Sequence, residues 1–329
     1  MTASRAARGL VLLLALALLL PAVSADYTGT TLAVVDRGQV TGDLVLTQGD
    51  SRYSGEIPPG GSYSVTFPVS LPNGGTIRSA SAYLFWSWSH SGSEGVPASV
   101  EATAGDAVLS PIRTYTDRKG SPPYDYPSGL FVYDVSGAAR PGEPLTLTVA
   151  NDSMDAGIAF SGAVLVLTYD GGSGGTVRYW VVEGSDMIYA TGDVTADAAT
   201  TRIVIEDVPA LPAGGSATLQ GVVPGGNKGK NTLFVNDHAI PALFDGKPYP
   251  DLAINSTAVG PHLVVGKNTI AIRDEGDYMV PGVFVLTLRD VGGVLPSATT
   301  QEAPSCGLIA LLAAIPVAFL ARRSGRPPR

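Results

Sequence analysis

The residues able to do chemistry are few and scattered. The three histidines, His90, His238 and His262, are nowhere two or four residues apart, the spacing that puts two imidazoles on one metal from a single element. Two short stretches gather oxygen: "NDSMD" holds Asp152 and Asp155, and "DEGD" holds Asp274 and Asp277. Calcium prefers such clusters, so these four are candidate calcium ligands; neither stretch has the full spacing of a known calcium loop, and solvated turn chemistry is the reading favoured for both. Ser173 in "GGSGG" fits a nucleophile elbow by letter, but the "TVRYWVV" that follows reads as a strand where an elbow needs a helix. In "GGNKGKNT", Pro224 stands where a phosphate loop has its first glycine and Asn231 where it has a magnesium-binding hydroxyl. No Ser/His/Asp or paired-carboxylate arrangement stands out. The expectation is a non-catalytic protein with no cofactor, calcium being the one candidate.

Aromatic and amide side chains offer binding and modification instead. Period-two alternation in "YLFWSWS" puts Leu84, Trp86 and Trp88 on one face and Tyr83, Phe85 and Ser87 on the other. Core packing explains most of these rings. Trp88, near the strand end, and Tyr124 and Tyr126 of "SPPYDYPSG" are candidates for stacking on sugar rings. Asn151-Asp152-Ser153 and Asn255-Ser256-Thr257 are N-glycosylation sequons, expected in loops.

The elements that must hold these residues read as strands. Gly at 40 and Pro at 25, with charged residues at only 15%, punctuate short runs rich in Val, Thr and Leu. Strands are expected in "SYSVTFPVSL", "SAYLFWSWS", "PLTLTVA", "AVLVLTY", "TVRYWVV", "TRIVIEDV", "NTLFVND", "NTIAIRD" and "GVFVLTL". No amphipathic helix is expected in the body.

An internal repeat organises them. "GAVLVLTYDGG" from Gly162 aligns with "GVFVLTLRDVGG" from Gly282, and "GEPLTLTVAND" from Gly142 with "GKNTIAIRDEG" from Gly266. Tyr126-Pro127 before "LFVYDVSG" matches Tyr249-Pro250 before "LAINSTAVG". Three correspondences in the same order, about 120 residues apart, indicate a duplicated domain. "AVLVLTY" is nearly continuous in apolar residues, as suits a central strand buried on both sides or lying against a second sheet. The fold class expected is all-β: two tandem antiparallel, jelly-roll-like β-sandwiches, residues 26–172 and 173–293.

The two ends direct the body to a surface. Arg5 and Arg8, the apolar run Leu10 to Leu20 and the small residues up to Ala25 form an expected signal peptide, residues 1–25, cleaved after Ala25. A polar spacer, 294–305, precedes a hydrophobic segment, 306–329, that begins with Cys306 and Gly307 and carries Arg322 and Arg323 behind its apolar run. That run is about 16 residues with Pro316 inside it, short of the roughly 20 that span a bilayer. The layout is either a sorting signal or a plain membrane anchor with its arginines inside, and both put the body outside the cell. Cys306 is the only cysteine, so disulfides play no part in the body. Net charge is −8, falling to −10 without the signal's two arginines and −14 without the tail's four. So acidic a chain, with five lysines, is no nucleic-acid binder; the expected partners are the membrane, through the tail, and neighbouring envelope proteins or glycans.

The combination of "YLFWSWS", "YDVSG", "GAVLVLTYDGG" and "VRYWVVEGSDMI", with "NTLFVNDHAI" further on, resembles an uncharacterised family of methanogen surface proteins defined only as a domain of unknown function. The resemblance runs from about Thr41 to Val291 and implies a secreted, β-rich archaeal envelope protein without assigned catalytic residues. The tail is similar to archaeosortase-type signals, with Pro304-Ser305-Cys306-Gly307 in place of the commonest Pro-Gly-Phe signature. That similarity implies processing or lipidation at Cys306. The function these readings favour is a surface-anchored structural or adhesive envelope protein. A carbohydrate- or calcium-binding module is the alternative, and an exported hydrolase the third.

Overall fold

The computed structural model describes residues 27–118, 125–172, 175–211, 213–245 and 251–290. Among them there is one short 3-10 helix, Gly260–His262, and every other regular element is a strand. A long strand, β1 (Thr31–Val40), leads into the first sandwich: β2 (Gly42–Thr47), β3 (Glu56–Ile57), β4 (Ser62–Phe67), β5 (Thr76–Ser91), β6 (Glu94–Gly95), β7 (Val100–Ala104), β8 (Ala107–Leu109), β9 (Arg113–Arg118), β10 (Pro127–Asp134), β11 (Leu145–Asn151) and β12 (Gly157–Asp170). The second sandwich runs β13 (Val177–Glu183), β14 (Thr200–Val208), β15 (Ser216–Pro224), β16 (Asn231–Val235), β17 (His238–Pro241), β18 (Leu252–Ala258), β19 (Gly266–Asp274) and β20 (Val283–Arg289). Each of the nine strands expected from the sequence is present, and the other eleven are additions; in β1 and β15, Gly38, Gly221 and scattered polar residues interrupt the alternation.

The duplication is visible in the topology. The second sandwich pairs its strands as β13-β20-β15-β18 and β14-β19-β16-β17. The first pairs its equivalents as β2-β12-β5-β10 and β4-β11-β7-β8, with β9, β3 and β6 as additions. Both orders are the first, eighth, third and sixth strands facing the second, seventh, fourth and fifth, which is the jelly-roll winding. The three sequence correspondences fall on the sixth, seventh and eighth strands of each copy.

Strand β1 departs from this division. Thr31 and Leu32 pair in parallel with Arg202 and Ile203 of β14. From Ala33 the strand runs antiparallel to β13, with a register slip between Val34 and Asp36. It thus joins both sheets of the second sandwich into one nine-stranded surface before crossing at Thr41 to the first. The stretch 26–172 therefore supplies a strand to the second sandwich, and both sandwiches belong to one compact unit ending at Gly293.

Alternation along β12 and β20 builds three cores. Ala163, Leu165, Leu167 and Tyr169 point into the first sandwich, and Phe284, Leu286 and Leu288 into the second. Their alternate neighbours, Val164, Val166, Val283 and Val285, meet in a middle core with Tyr83, Phe85, Leu130, Val132, Val181 and Val222. Both strands are buried on both faces, one of the two placements that the apolar run "AVLVLTY" allowed. The repeat glycines make the close approach possible. A Cβ on Gly162 would lie 2.9 Å from Cδ1 of Leu252, and one on Gly282 2.5 Å from Cε1 of Phe85, each in the other sandwich.

Polar groups close the same seam. Asp43 of β2 and Arg289 of β20 form a buried ion pair at 2.6 Å. Glu183, fully buried, receives Nε and Nη2 of Arg113 at 2.5 and 2.7 Å and the hydroxyls of Tyr83 and Tyr115 at 2.9 and 3.0 Å. Its carboxylate hydrogen bonds hold the Arg113 guanidinium more firmly protonated, while burial and the Glu183 charge push the Tyr115 phenol up to about 12. A buried pair of this kind is costly to break singly, because the remaining charge is left without compensation.

Gly282→Ala is expected to destabilise the fold by about 1–3 kcal/mol through overpacking against Phe85, with much of the loss recovered in a Gly282→Ala/Phe85→Leu double variant. Urea unfolding of the four proteins measures this, and additive effects would show that the two positions do not touch.

Candidate functional site

The site is built on β5, whose alternation changes phase part-way along. Leu84 and Trp86 point into the first core as expected. Trp86 then lies opposite Phe160 and Trp88 opposite Ala159, so Ser87 is an extra residue, a β-bulge. Beyond it Ser89, opposite the core residue Ile158, takes the inward face and is 1% exposed. Trp88 and His90 consequently turn outward. This corrects the sequence expectation that Trp88 shares a face with Leu84 and Trp86: one inserted residue inverts every side chain after it.

Outside, Trp88 becomes the end of a row of rings. Its centroid lies 4.9 Å from His90, and His90 stacks on Tyr126 at 4.6 Å with 17° between planes. All three are half-buried. Nδ1 of His90 is 2.9 Å from the Gly92 carbonyl, which fixes the ring. Gly95 lets the Asp125-Tyr126 backbone approach, since a Cβ there would lie 2.3 Å from the Asp125 carbonyl oxygen. Asp125 also pairs with Arg118 at 2.9 Å. Tyr124 lies outside the described residues, as do Ala25, Cys306, Gly307, Arg322 and Arg323. The row is a short column of rings at a bulged strand end, with His90 between the other two.

The acidic stretches have other work. Asp274 is fully buried and accepts four backbone N–H groups, from Ala190, Gly276, Asp277 and Tyr278, at 2.6–3.1 Å. Asp277 accepts those of Asn227 and Lys228, and Nδ2 of Asn231 at 2.9 Å. N–H dipoles present their positive ends to these oxygens and so occupy the place a cation would take. Asp152 and Asp155 are exposed, with Oδ2 of Asp155 bonded to Ser91 at 2.8 Å. Among the described residues, no three His, Cys, Asp or Glu side chains converge to hold a metal ion.

The sequons also take a structural place. Asn151 ends β11 and Asn255 lies within β18, so neither is the loop residue expected; a strand position holds each backbone while its side chain bonds a neighbouring segment. Nδ2 of Asn151, the atom a glycan would modify, is buried and donates to the carbonyls of Ile57 and Ala156 at 2.9 and 2.7 Å. Nδ2 of Asn255 donates to the Leu243 carbonyl. His238 and His262, far apart in sequence, stack at 3.5 Å between centroids.

Sequence reasoning missed three tyrosines and a carboxylate. Tyr27, Tyr189 and Tyr278 come together from three distant segments, each pair edge-to-face at 5.4–6.0 Å. Asp186 is fully buried, with Oδ2 accepting the Thr201 hydroxyl at 2.5 Å and the Thr30 N–H at 2.7 Å. Burial, with a smaller contribution from the Asp117 charge, pushes its carboxyl up to about 6 against these two hydrogen bonds. No spacing in the chain signals either group.

The geometry defines a class, a double jelly-roll β protein with an aromatic row at one strand end. Residues 26–289 match the family described as "Protein of unknown function (DUF3344)", and the chain belongs to it. No curated protein matches the sequence. Among solved structures, an α-L-rhamnosidase of Streptomyces avermitilis complexed with L-rhamnose is 11% identical over 79% of this chain, with a TM-score of 0.21. The chain spans 28% of that enzyme. The major capsid protein P2 of bacteriophage PM2 is 10% identical over 79% of this chain and 100% of its own, with a TM-score of 0.20. Scores this low carry no argument about fold or function.

Because the folded-state value of Asp186 lies above its ordinary 3.8, folding favours its protonated form. Its contribution is greatest below pH 4 and is lost as pH rises through 6, by up to about 3 kcal/mol. Urea unfolding of wild type and Asp186→Asn across this range should show a downward slope in wild type that the variant lacks; parallel profiles would contradict the raised value.

Proposed function

We propose that the protein is a non-catalytic adhesive protein displayed at the outer face of a cell, whose jelly-roll body binds polymeric carbohydrate. The row Trp88, His90 and Tyr126 carries this reading. Three half-buried rings follow one another on a bulged strand end that a rigid sheet supports, and aromatic faces bind sugars through their C–H surfaces at little cost in side-chain entropy. A polymer offers successive rings to such a row, so weak contacts accumulate along it. The acidic charge of the chain favours neutral polymers over anionic ones. Calcium has no part in this reading, since the buried carboxylates of Asp274 and Asp277 already receive N–H donors.

Display rests on the two ends of the sequence. The N-terminal 25 residues start export, and the segment from Cys306 holds the body at the membrane, by processing at Cys306 or as a retained anchor with Arg322 and Arg323 inside.

Affinity electrophoresis of the protein through gels containing neutral polysaccharides is expected to show retardation that Trp88→Ala and Tyr126→Ala each weaken about tenfold. Unretarded migration of wild type through a broad set of polymers would refute the carbohydrate reading. Anchoring has its own measurement, the intact mass of the protein recovered from native membranes. A mass ending near Cys306 or one retaining the tail supports it, and recovery of unlipidated protein solely from the medium would overturn it.

A further inference from the structure

Between the sandwiches, on the far side of the Ser87 bulge, lies a recess lined by Trp86, Ser87, Gly129, Ser161, Tyr278 and Val280, among others. Its interior of about 10 Å³ has room for one water or one hydroxyl and no ring. Nε1 of Trp86 and Oγ of Ser161, in residues 2% and 1% exposed, have no hydrogen-bond partner among the described residues. The indole edge bearing Nε1 lies against Gly129, where a Cβ would be 2.8 Å from Cε2 of Trp86. An indole N–H only donates, and a buried donor left unpaired is costly. A hydroxyl seated there, accepting from Trp86 and donating to Ser161, would satisfy both orphans.

The rim is aromatic. Tyr278 reaches the recess and belongs to the trio with Tyr27 and Tyr189, whose planes are mutually inclined by 81–88°. Tyr278 holds a φ of 62°, a left-handed conformation uncommon for a bulky residue, and backbone strain of this kind clusters at functional positions. The N–H groups of Asp277 and Tyr278, bonded to Asp274, maintain it.

We propose that recess and tyrosine trio form a second binding site, which takes the hydroxymethyl group of a pyranose: the hydroxyl enters the recess and the sugar ring rests on the tyrosines. This site shares no ring with the Trp88 row and stands or falls separately from it.

The chain has three tryptophans, so the full-length protein labelled with ¹⁵N at the indoles gives three signals, assignable by Trp→Phe variants. Methyl glucoside, galactoside or mannoside is expected to shift the Trp86 signal downfield as its N–H gains an acceptor. Methyl xyloside, lacking the hydroxymethyl group, should leave it in place. Tyr278→Gly removes the ring and suits the φ of 62°, and should weaken the response about tenfold, whereas Trp88→Ala should preserve it. A Trp86 signal unmoved by all three hexosides, meaning water alone fills the recess, would overturn the proposal. So would an equal response to xyloside, or a response that survives Tyr278→Gly and vanishes in Trp88→Ala.

Discussion

The middle core is the constraint on which the rest of the molecule depends. Two jelly rolls, each with a core of its own, could sit side by side as separate domains joined by a glycine-rich link. Instead the β2-β12-β5-β10 sheet of one faces the β13-β20-β15-β18 sheet of the other across Val164, Val166, Val283 and Val285. Each of those central strands therefore serves two cores, and neither sandwich can shift without disturbing its own packing. The buried pair Asp43–Arg289, and the buried Glu183 carboxylate with its partly exposed partner Arg113, fix the register of the two sheets, since any slide would strand a charge.

That seam also explains where the candidate sites lie. A sheet buried on both faces has little freedom except at its ends, and the ends of β5 and β12 are where register slips occur. The Ser87 bulge releases Trp88 and His90 from the core to join Tyr126, and the irregularity around Ser161 and Gly162 opens the recess beneath Trp86. Strand β1 adds a second tie, closing the second sandwich with a segment from the beginning of the chain and bringing Tyr27 to Tyr189 and Tyr278. An acidic loop that looks solvent-facing in sequence becomes a buried clamp: Asp274 gathers four N–H groups and sets the conformation of Tyr278.

Most of the fold was legible in the residues. Alternation and glycine punctuation located the principal strands, and the repeat of "GAVLVLTYDGG" in "GVFVLTLRDVGG" identified the duplication. These signals are local or depend on self-similarity, and burial of one face imposes them on any strand. Strand β1 was not legible, because its partners are more than a hundred residues away and only Leu32 and Val40 are fully buried, which leaves a faint pattern. Of the aromatic row, Trp88 and Tyr126 were singled out in the sequence and His90 was not, and the side on which Trp88 emerges was misread, since a bulge is a property of the pair of strands and leaves no mark on one of them.

By itself the sequence determined the all-β class, the duplication and an acidic body without disulfides, because composition, periodicity and repetition act through local backbone preference and simple burial. Tertiary structure alone decided that the two copies share a middle core, that Asp274 and Asn151 face inward, and that Tyr27, Tyr189 and Tyr278 meet. Those outcomes depend on which surfaces come to exclude water together, a choice made by the whole chain at once and written in no single stretch of it.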